Sequence, residues 1–271
     1  MNQRRLLVRA LPIGIAIVVV AVQFFSSEKF TNEAGRTARH ALNPQQEEQL
    51  GLQSYQQVLE QAQTIDSGPD YELVKRVAAR LAAATGPAAK TFHWEVTLVD
   101  NPQINAFCLP GGKIVVYTGI LPVARTEAGL ATVMGHEMAH ATLRHGSERL
   151  LQQKATQTLL TGVQTSLGDM SYEQQRAIMG AIGAGAQYGV LLPFSREHES
   201  EADKIGLFYL ARAGYDPRES VEFWQRMSEA TAGSGQPLEF MSTHPSDATR
   251  ITQLKDLLPQ AQAEYEQAKA H

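Results

Sequence analysis

The stretch "VMGHEMAHATLRHG", residues 133–146, sets His136, Glu137, His140 and His145 into otherwise apolar sequence. At about 100° per residue, His136 and His140 lie roughly 40° apart on one helix face, one turn separated, which is how two imidazoles grip one metal ion. Glu137 sits beside them, placed to act as general base toward a water that the metal activates, without being a ligand itself. The spacing is H-E-x-x-H. His145 falls about 140° round from His140 and is expected to complement the helix dipole beside Arg144 rather than to bind. Leu143 and Gly146 exclude the longer H-E-x-x-H-x-x-G-x-x-H pattern. Two core histidines bonded to carbonyls would be the plain alternative, but ionisable groups in a helix that is apolar nearly all round need partners.

A catalytic zinc takes three protein ligands and keeps one position open. Cys108 is the only cysteine, so the third ligand has to be a histidine or a carboxylate. Candidates concentrate in "SREHESEADKIG", residues 195–206. On a helix Glu199, Ala202, Asp203 and Gly206 share one face and Glu197 and Glu201 another. The small residues at 202 and 206 would let this helix approach the motif helix closely. Were Glu199 the ligand, Asp203 one turn on could accept the outer N–H of a ligating histidine. Spacing alone leaves Glu201 open.

The elements that must hold these groups are readable in outline. Thr126 as N-cap and Gly146 as the residue after the C-cap predict a helix over 127–145. Helices are expected over "PQQEEQLGLQSYQQVLEQAQ" and from Pro69, where Val74, Val77, Ala78 and Leu81 recur at helical spacing before a Gly86-Pro87 stop. "TFHWEVTLVD" alternates as a half-buried strand with His93 on its polar face, and "INAFCLPGGKIVVYTG" reads as a hairpin about Pro110-Gly111-Gly112. From about Thr126 onward the pattern is helical. Strands first and helices later make an α+β order, with a small β-sheet in a mainly helical domain. Residues 180–194, glycine-rich and apolar, read as a flexible segment between helices or a lid over the site.

The 271 residues, 43% hydrophobic and 19% charged, suit one globular domain, and a net charge of −4 argues against nucleic acid as a partner. Arg4, Arg5 and Arg9 precede an uncharged run over 10–25, the pattern of an export signal with the N-terminus left in the cytoplasm. No small-x-small site follows, which favours an uncleaved anchor over a removed signal peptide. The expected organisation is a signal anchor or signal peptide over 1–25, a polar linker over 26–43 and a metallopeptidase domain over 44–271.

"NAFCLPGG", "GHEMAH", "SREHESEAD" with "RAGYDP", and "STHPSDATRI" occur in the order found in the membrane-associated gluzincin metalloproteases. That family comprises the CAAX prenyl protease, HtpX, OMA and BepA-like proteins, and the chain resembles its exported, single-domain BepA-like members most. The resemblance covers roughly residues 44–258. It implies a helical gluzincin (zincin) fold, with one zinc per chain on His136, His140 and Glu199, Glu137 as base and Asp203 as support. It also implies a place in the site for His244 of "THP", as a fourth, autoinhibitory ligand or an oxyanion stabiliser. By the same analogy, substrate would lie along Asn105, Ala106 and Phe107 as an added strand. The implied activity is hydrolysis of polypeptide substrates, unfolded or misassembled exported and membrane proteins. Its implied location is the inner membrane with the catalytic domain in the periplasm, or the periplasm itself after cleavage. A chaperone-like protein that binds clients with little turnover is the alternative. Two departures stand out: Cys108 replaces the small residue usual in "NAFALPGG", expected to act as a buried hydrophobe, and the chain lacks BepA's C-terminal repeats, so recruitment through repeats is not expected.

Overall fold

The computed structural model describes residues 3–168, 170–180, 194–233, 239–244 and 249–270. They divide into two compact units. The smaller contains α1 (Gln3–Ser26), strand β2 (Thr37–His40), most of β1 (Glu28–Thr31) and all but the start of α6 (His145–Ser166). At about 1.5 Å per residue the 24-residue α1 is roughly 36 Å long. Its segment Arg9–Ser26 is long and apolar enough to cross a membrane. Gly162 of α6 lets Ala16 and the Pro12 carbonyl of α1 approach within the space a Cβ would fill, and Ser166 Oγ donates to the Arg9 carbonyl at 2.5 Å.

The larger unit holds the expected chemistry. A four-stranded sheet has the order β3 (Thr64–Ile65), β4 (Glu95–Val99), β6 (Lys113–Tyr117), β5 (Ala106–Leu109). β4 and β6 run parallel, while β5 and β6 form the antiparallel hairpin expected from Pro110-Gly111-Gly112. Both glycines have positive φ, +83° and +93°, a backbone that costs a side chain strain. The alternation in β6 is clean. Ile114 and Val116 face the main core, and Val115 packs with Tyr55 of α2 (Pro44–Gln61) on the other side. His93 is exposed beside Glu48, as the polar face required.

Over the main face lie α3 (Pro69–Ala84) and α5 (Glu127–Thr142). Val74, Val77, Ala78 and Leu81 are the buried residues of α3, as its spacing predicted. After the short α4 (Leu121–Ala124), Thr126 caps α5 by accepting from Gly129 N, and every residue from Gly129 to Thr142 is buried. Next to α5 run α7 (Arg196–Arg212) and α8 (Glu219–Gly233), followed by α9 (Glu239–Thr243) and α10 (Arg250–Lys269). The architecture is α+β and mainly helical.

Two details differ from expectation, and a third expectation falls outside the described residues. α5 stops at Thr142, not 145, because Arg144 rather than Gly146 takes the left-handed conformation, φ +61°. Arg144 Nε donates to both Glu47 oxygens at 3.0 and 2.9 Å, and its Nη2 donates to the Leu42 carbonyl at 2.8 Å, contacts that hold the reversal. Residues 26–43 carry the β1–β2 ribbon, and its 31–36 turn clusters with the larger unit. The segment read as a flexible connection or a lid, residues 180–194, lies outside the described residues except at its two ends.

Candidate active site

α5 and α7 touch backbone to backbone. A Cβ on Gly206 would stand 2.8 Å from His136 N, and one on Gly135 would stand 3.1 Å from the Gly206 carbonyl oxygen. This contact brings Glu199, one face of α7, onto His136 and His140 of α5. The two Nε2 atoms are 3.1 Å apart. Glu199 Oε2 lies 3.5 Å from His136 Nε2, and Glu199 Oε1 lies 3.4 Å from His140 Nε2. His244, directly after α9, enters the same cluster: its Nδ1 is 3.1 Å from Glu199 Oε1 and 3.4 Å from His136 Nε2. All four residues are buried, and one ligand atom from each lies within 4.8 Å of the others.

Four such donors, turned toward one another away from water, hold together only around shared protons or a cation. Imidazole nitrogens and a carboxylate, with no thiolate, match a borderline divalent ion. Glu137 stands beside the cluster. Its Oε1 is buried with no hydrogen-bond partner among the described residues, and His244 Nε2 lies 3.5 Å from it. Burial raises its pKa from the usual carboxylate range, with the charge of Glu199 adding to the effect against His244, His136 and Arg250. A raised carboxylate suits a group that must accept and return a proton. The residues therefore fit a metal ion with a general base.

The surrounding charges sort the two histidines. Burial opposes protonation of His136, but the carboxylates of Asp203, 2.9 Å from its Nδ1, and Glu199 raise it to about 9. Burial holds His140 well below the usual histidine value despite Glu199. Glu199 itself is kept ionised: desolvation works against it, and its close contacts with the imidazoles of His136, His140 and His244 outweigh that. Cys108, half-buried on β5, has its thiol pushed well up by burial and by the Glu137 charge, so it remains a thiol and a packing group.

Asp203 stands where α7 spacing put it. Glu201, which spacing left open, points elsewhere: it meets His145, Arg36 and Asn32. His145 is fully buried and held down to about 4, by burial before all else, so it is neutral and does not complement a helix dipole. Asn105, just before β5, and Ala106 on it are buried, and Phe107 packs toward α2; β5 is the terminal strand of its sheet.

One residue had no role assigned from sequence. Arg250, buried, donates from Nε to Asp203 Oδ2 and from Nη2 to Glu199 Oε2, both at 2.6 Å, over the Trp224 ring at 4.1 Å. It is the arginine of the "STHPSDATRI" motif, and its place in that motif was the available signal.

The model for Peptidase family M48 matches residues 70–258. The chain is 33% identical over 256 residues to the mitochondrial metalloendopeptidase OMA1 of Schizosaccharomyces pombe, covering 93% of this chain and 73% of that protein. It is 36% identical over 187 residues to the Saccharomyces cerevisiae OMA1, covering 65% and 50% respectively. To the beta-barrel assembly-enhancing protease of Escherichia coli K12 it is 28% identical over 275 residues, covering 97% and 56%. The chain thus spans about half the length of the last two relatives.

Proposed function

Since the chain belongs to peptidase family M48, we propose that it is a zinc-dependent metalloendopeptidase that cleaves unfolded or misassembled exported and membrane proteins. The observation that carries this reading is the buried His136, His140, Glu199 and His244 cluster, with a buried Glu137 oxygen beside it that has no hydrogen-bond partner among the described residues. His136, His140 and Glu199 would hold the metal. Zinc held there would supply Lewis-acid chemistry toward a water and the peptide carbonyl. Glu137 would act as the base, its carboxylate accepting a proton from the attacking water and returning it to the leaving amine. Asp203 fixes the His136 ring, and Arg250 balances Glu199 and Asp203. Terminal strand β5, through the backbone of Asn105, Ala106 and Phe107, offers an edge to an extended substrate, giving affinity with little sequence demand.

In this reading residues 1–25 anchor the protein in the inner membrane, and 44–271 form the metallopeptidase domain on the periplasmic side. The apolar run of α1 and the arginines Arg4, Arg5 and Arg9 in its first turns support that orientation. A soluble periplasmic form would follow if the signal were cleaved. Glu137→Gln tests the enzyme: casein cleavage should vanish while one metal per chain is retained. Cleavage at the wild-type rate would rule out Glu137 as base.

His244 supports a second reading. Inside the donor cluster, 3.1 Å from Glu199, it would serve as a fourth ligand that caps the site. A capped site suits a client-binding, chaperone-like protein with little turnover. Full complementation of a deletion strain by Glu137→Gln would favour that reading over proteolysis.

A further inference from the structure

Behind His140, on the side away from the donor cluster, lies a second file of polar groups. His140 Nδ1 is 3.0 Å from His145 Nδ1, and His145 Nε2 is 2.9 Å from Glu201 Oε2. Glu201 also accepts from Arg36 Nε at 2.6 Å, Arg36 Nη2 at 3.1 Å and Asn32 Nδ2 at 3.0 Å. Asn32 cannot present its oxygen there, because that oxygen already accepts from Arg36 N at 2.9 Å. The turn is tight: Asn32 N donates to the Arg36 carbonyl, Gly35 N donates to the Asn32 carbonyl, and Gly35 has φ +91°.

These contacts fix where the protons lie. Guanidinium and amide N–H groups only donate, so Glu201 meets Arg36 and Asn32 as an ionised acceptor. His145 Nε2, on the same carboxylate, must then carry its proton. His140 turns Nε2 into the donor cluster, 3.1 Å from His136 Nε2 and 3.4 Å from Glu199 Oε1, so as a metal ligand it carries its one proton on Nδ1 and donates it across 3.0 Å to His145 Nδ1, which accepts. That leaves His140 Nε2 bare and facing His136 and Glu199. The opposite tautomer would put a proton into the donor cluster. His198, stacked on His145 at 4.4 Å and 25°, holds the ring plane.

We infer that His145 and Glu201 are positioning residues that lock His140 as an Nε2 ligand, and that the 32–36 turn, just after the apolar helix, anchors this relay through Arg36 and Asn32. The inference rests on the metallopeptidase reading. His145 lies 5 residues beyond His140 in sequence but acts from the next helix, since the chain reverses at Arg144.

The test uses the full-length protein in detergent micelles, with zinc as the probe. In metal-free wild-type protein, ¹⁵N long-range imidazole spectra should show His145 protonated at Nε2 and His140 at Nδ1. Zinc affinity is then measured by chelator competition, with the melting temperature of each metal-free variant as a check on folding. His145→Leu should lose about 10- to 100-fold in affinity, the range for removing an outer partner of a ligand. His145→Asn, whose amide oxygen can accept from His140, should recover most of that loss, and Arg36→Ala should cost about tenfold. His145 protonated at Nδ1 in the wild type overturns the relay whether or not any variant folds. Equal losses for the Leu and Asn variants would reduce His145 to packing, and unchanged affinity in Arg36→Ala would remove the turn from it. Failure of the wild type to bind zinc would sink the metallopeptidase reading instead, and the tautomer spectra would still decide the relay.

Discussion

The same substitution at two glycines should act with opposite sign. At Gly206 a methyl would sit 2.8 Å from His136 N, 2.9 Å from His136 Cα and 3.0 Å from Gly135 C. All three are backbone, so no side chain can swing clear. Ordinary contact begins at 3.4 Å, so α7 must retreat from α5 by about 0.6 Å (3.4 minus 2.8). Overpacking of this kind costs about 1–3 kcal/mol. For a domain of this size that is a fall of about 3–9 °C in melting temperature. The retreat also draws Glu199, two turns earlier on α7, away from His136 and His140, so zinc affinity should fall with stability. Gly146 lies in the first turn of α6 with nothing within 4 Å of the added Cβ. There alanine should be neutral or stabilise by about 0.5 kcal/mol through helix propensity. Calorimetry of both variants, with chelator competition for zinc, gives the answer. If Gly206→Ala melts with the wild type and binds zinc equally well, the close α5–α7 contact does not position the ligands, and the reasoning fails.

Further outcomes follow from the site and its edges. Arg250→Ala leaves Glu199 and Asp203 without their buried counter-charge, which should cost about 3–5 kcal/mol by denaturant titration. Arg250→Lys should recover little, because one ammonium cannot reproduce the fork that meets two carboxylates. Glu127 is held down to about 2, chiefly by Arg76, with Tyr215 and Arg80 helping. Its folded pKa is depressed below the usual 4.5, so its contribution is complete above pH 4.5 and is lost as pH falls toward 2. Being partly exposed, the pairing is worth about 1 kcal/mol, and Glu127→Gln should flatten stability against pH in that window alone. Chelation should lower the wild-type melting temperature and raise its dependence on added zinc, as for any ligand bound only by the folded state.

How much of this could be read from the chain depended on the range of the interaction. The H-E-x-x-H pair, the face shared by Glu199, Asp203 and Gly206, and the core face of α3 follow from local periodicity, and the structure bears out their placement. The hairpin at Gly111-Gly112 was equally local. What escaped were contacts between segments far apart in sequence. Arg36 reaches Glu201 across 165 residues, and Arg250 reaches Glu199 across 51. A polar stretch such as 26–43 shows no periodicity because its strands are short and their pairing is with each other. The end of α5 lies earlier than the sequence predicts because Gly146 is the better left-handed residue on intrinsic grounds, while hydrogen bonds that Arg144 donates to Glu47 and to the Leu42 carbonyl hold Arg144 in that conformation instead. His145 was misjudged for the same reason, since its role depends on that reversal.

The most direct test is the metal content and proteolytic activity of the same purified protein. Elemental analysis should find one zinc per chain in the wild type and in Glu137→Gln, and next to none in a His136→Ala, His140→Ala double variant. Casein cleavage should stop on chelation and return with zinc. Wild-type protein that carries no metal, or that cleaves undiminished in the presence of chelator, would contradict the account.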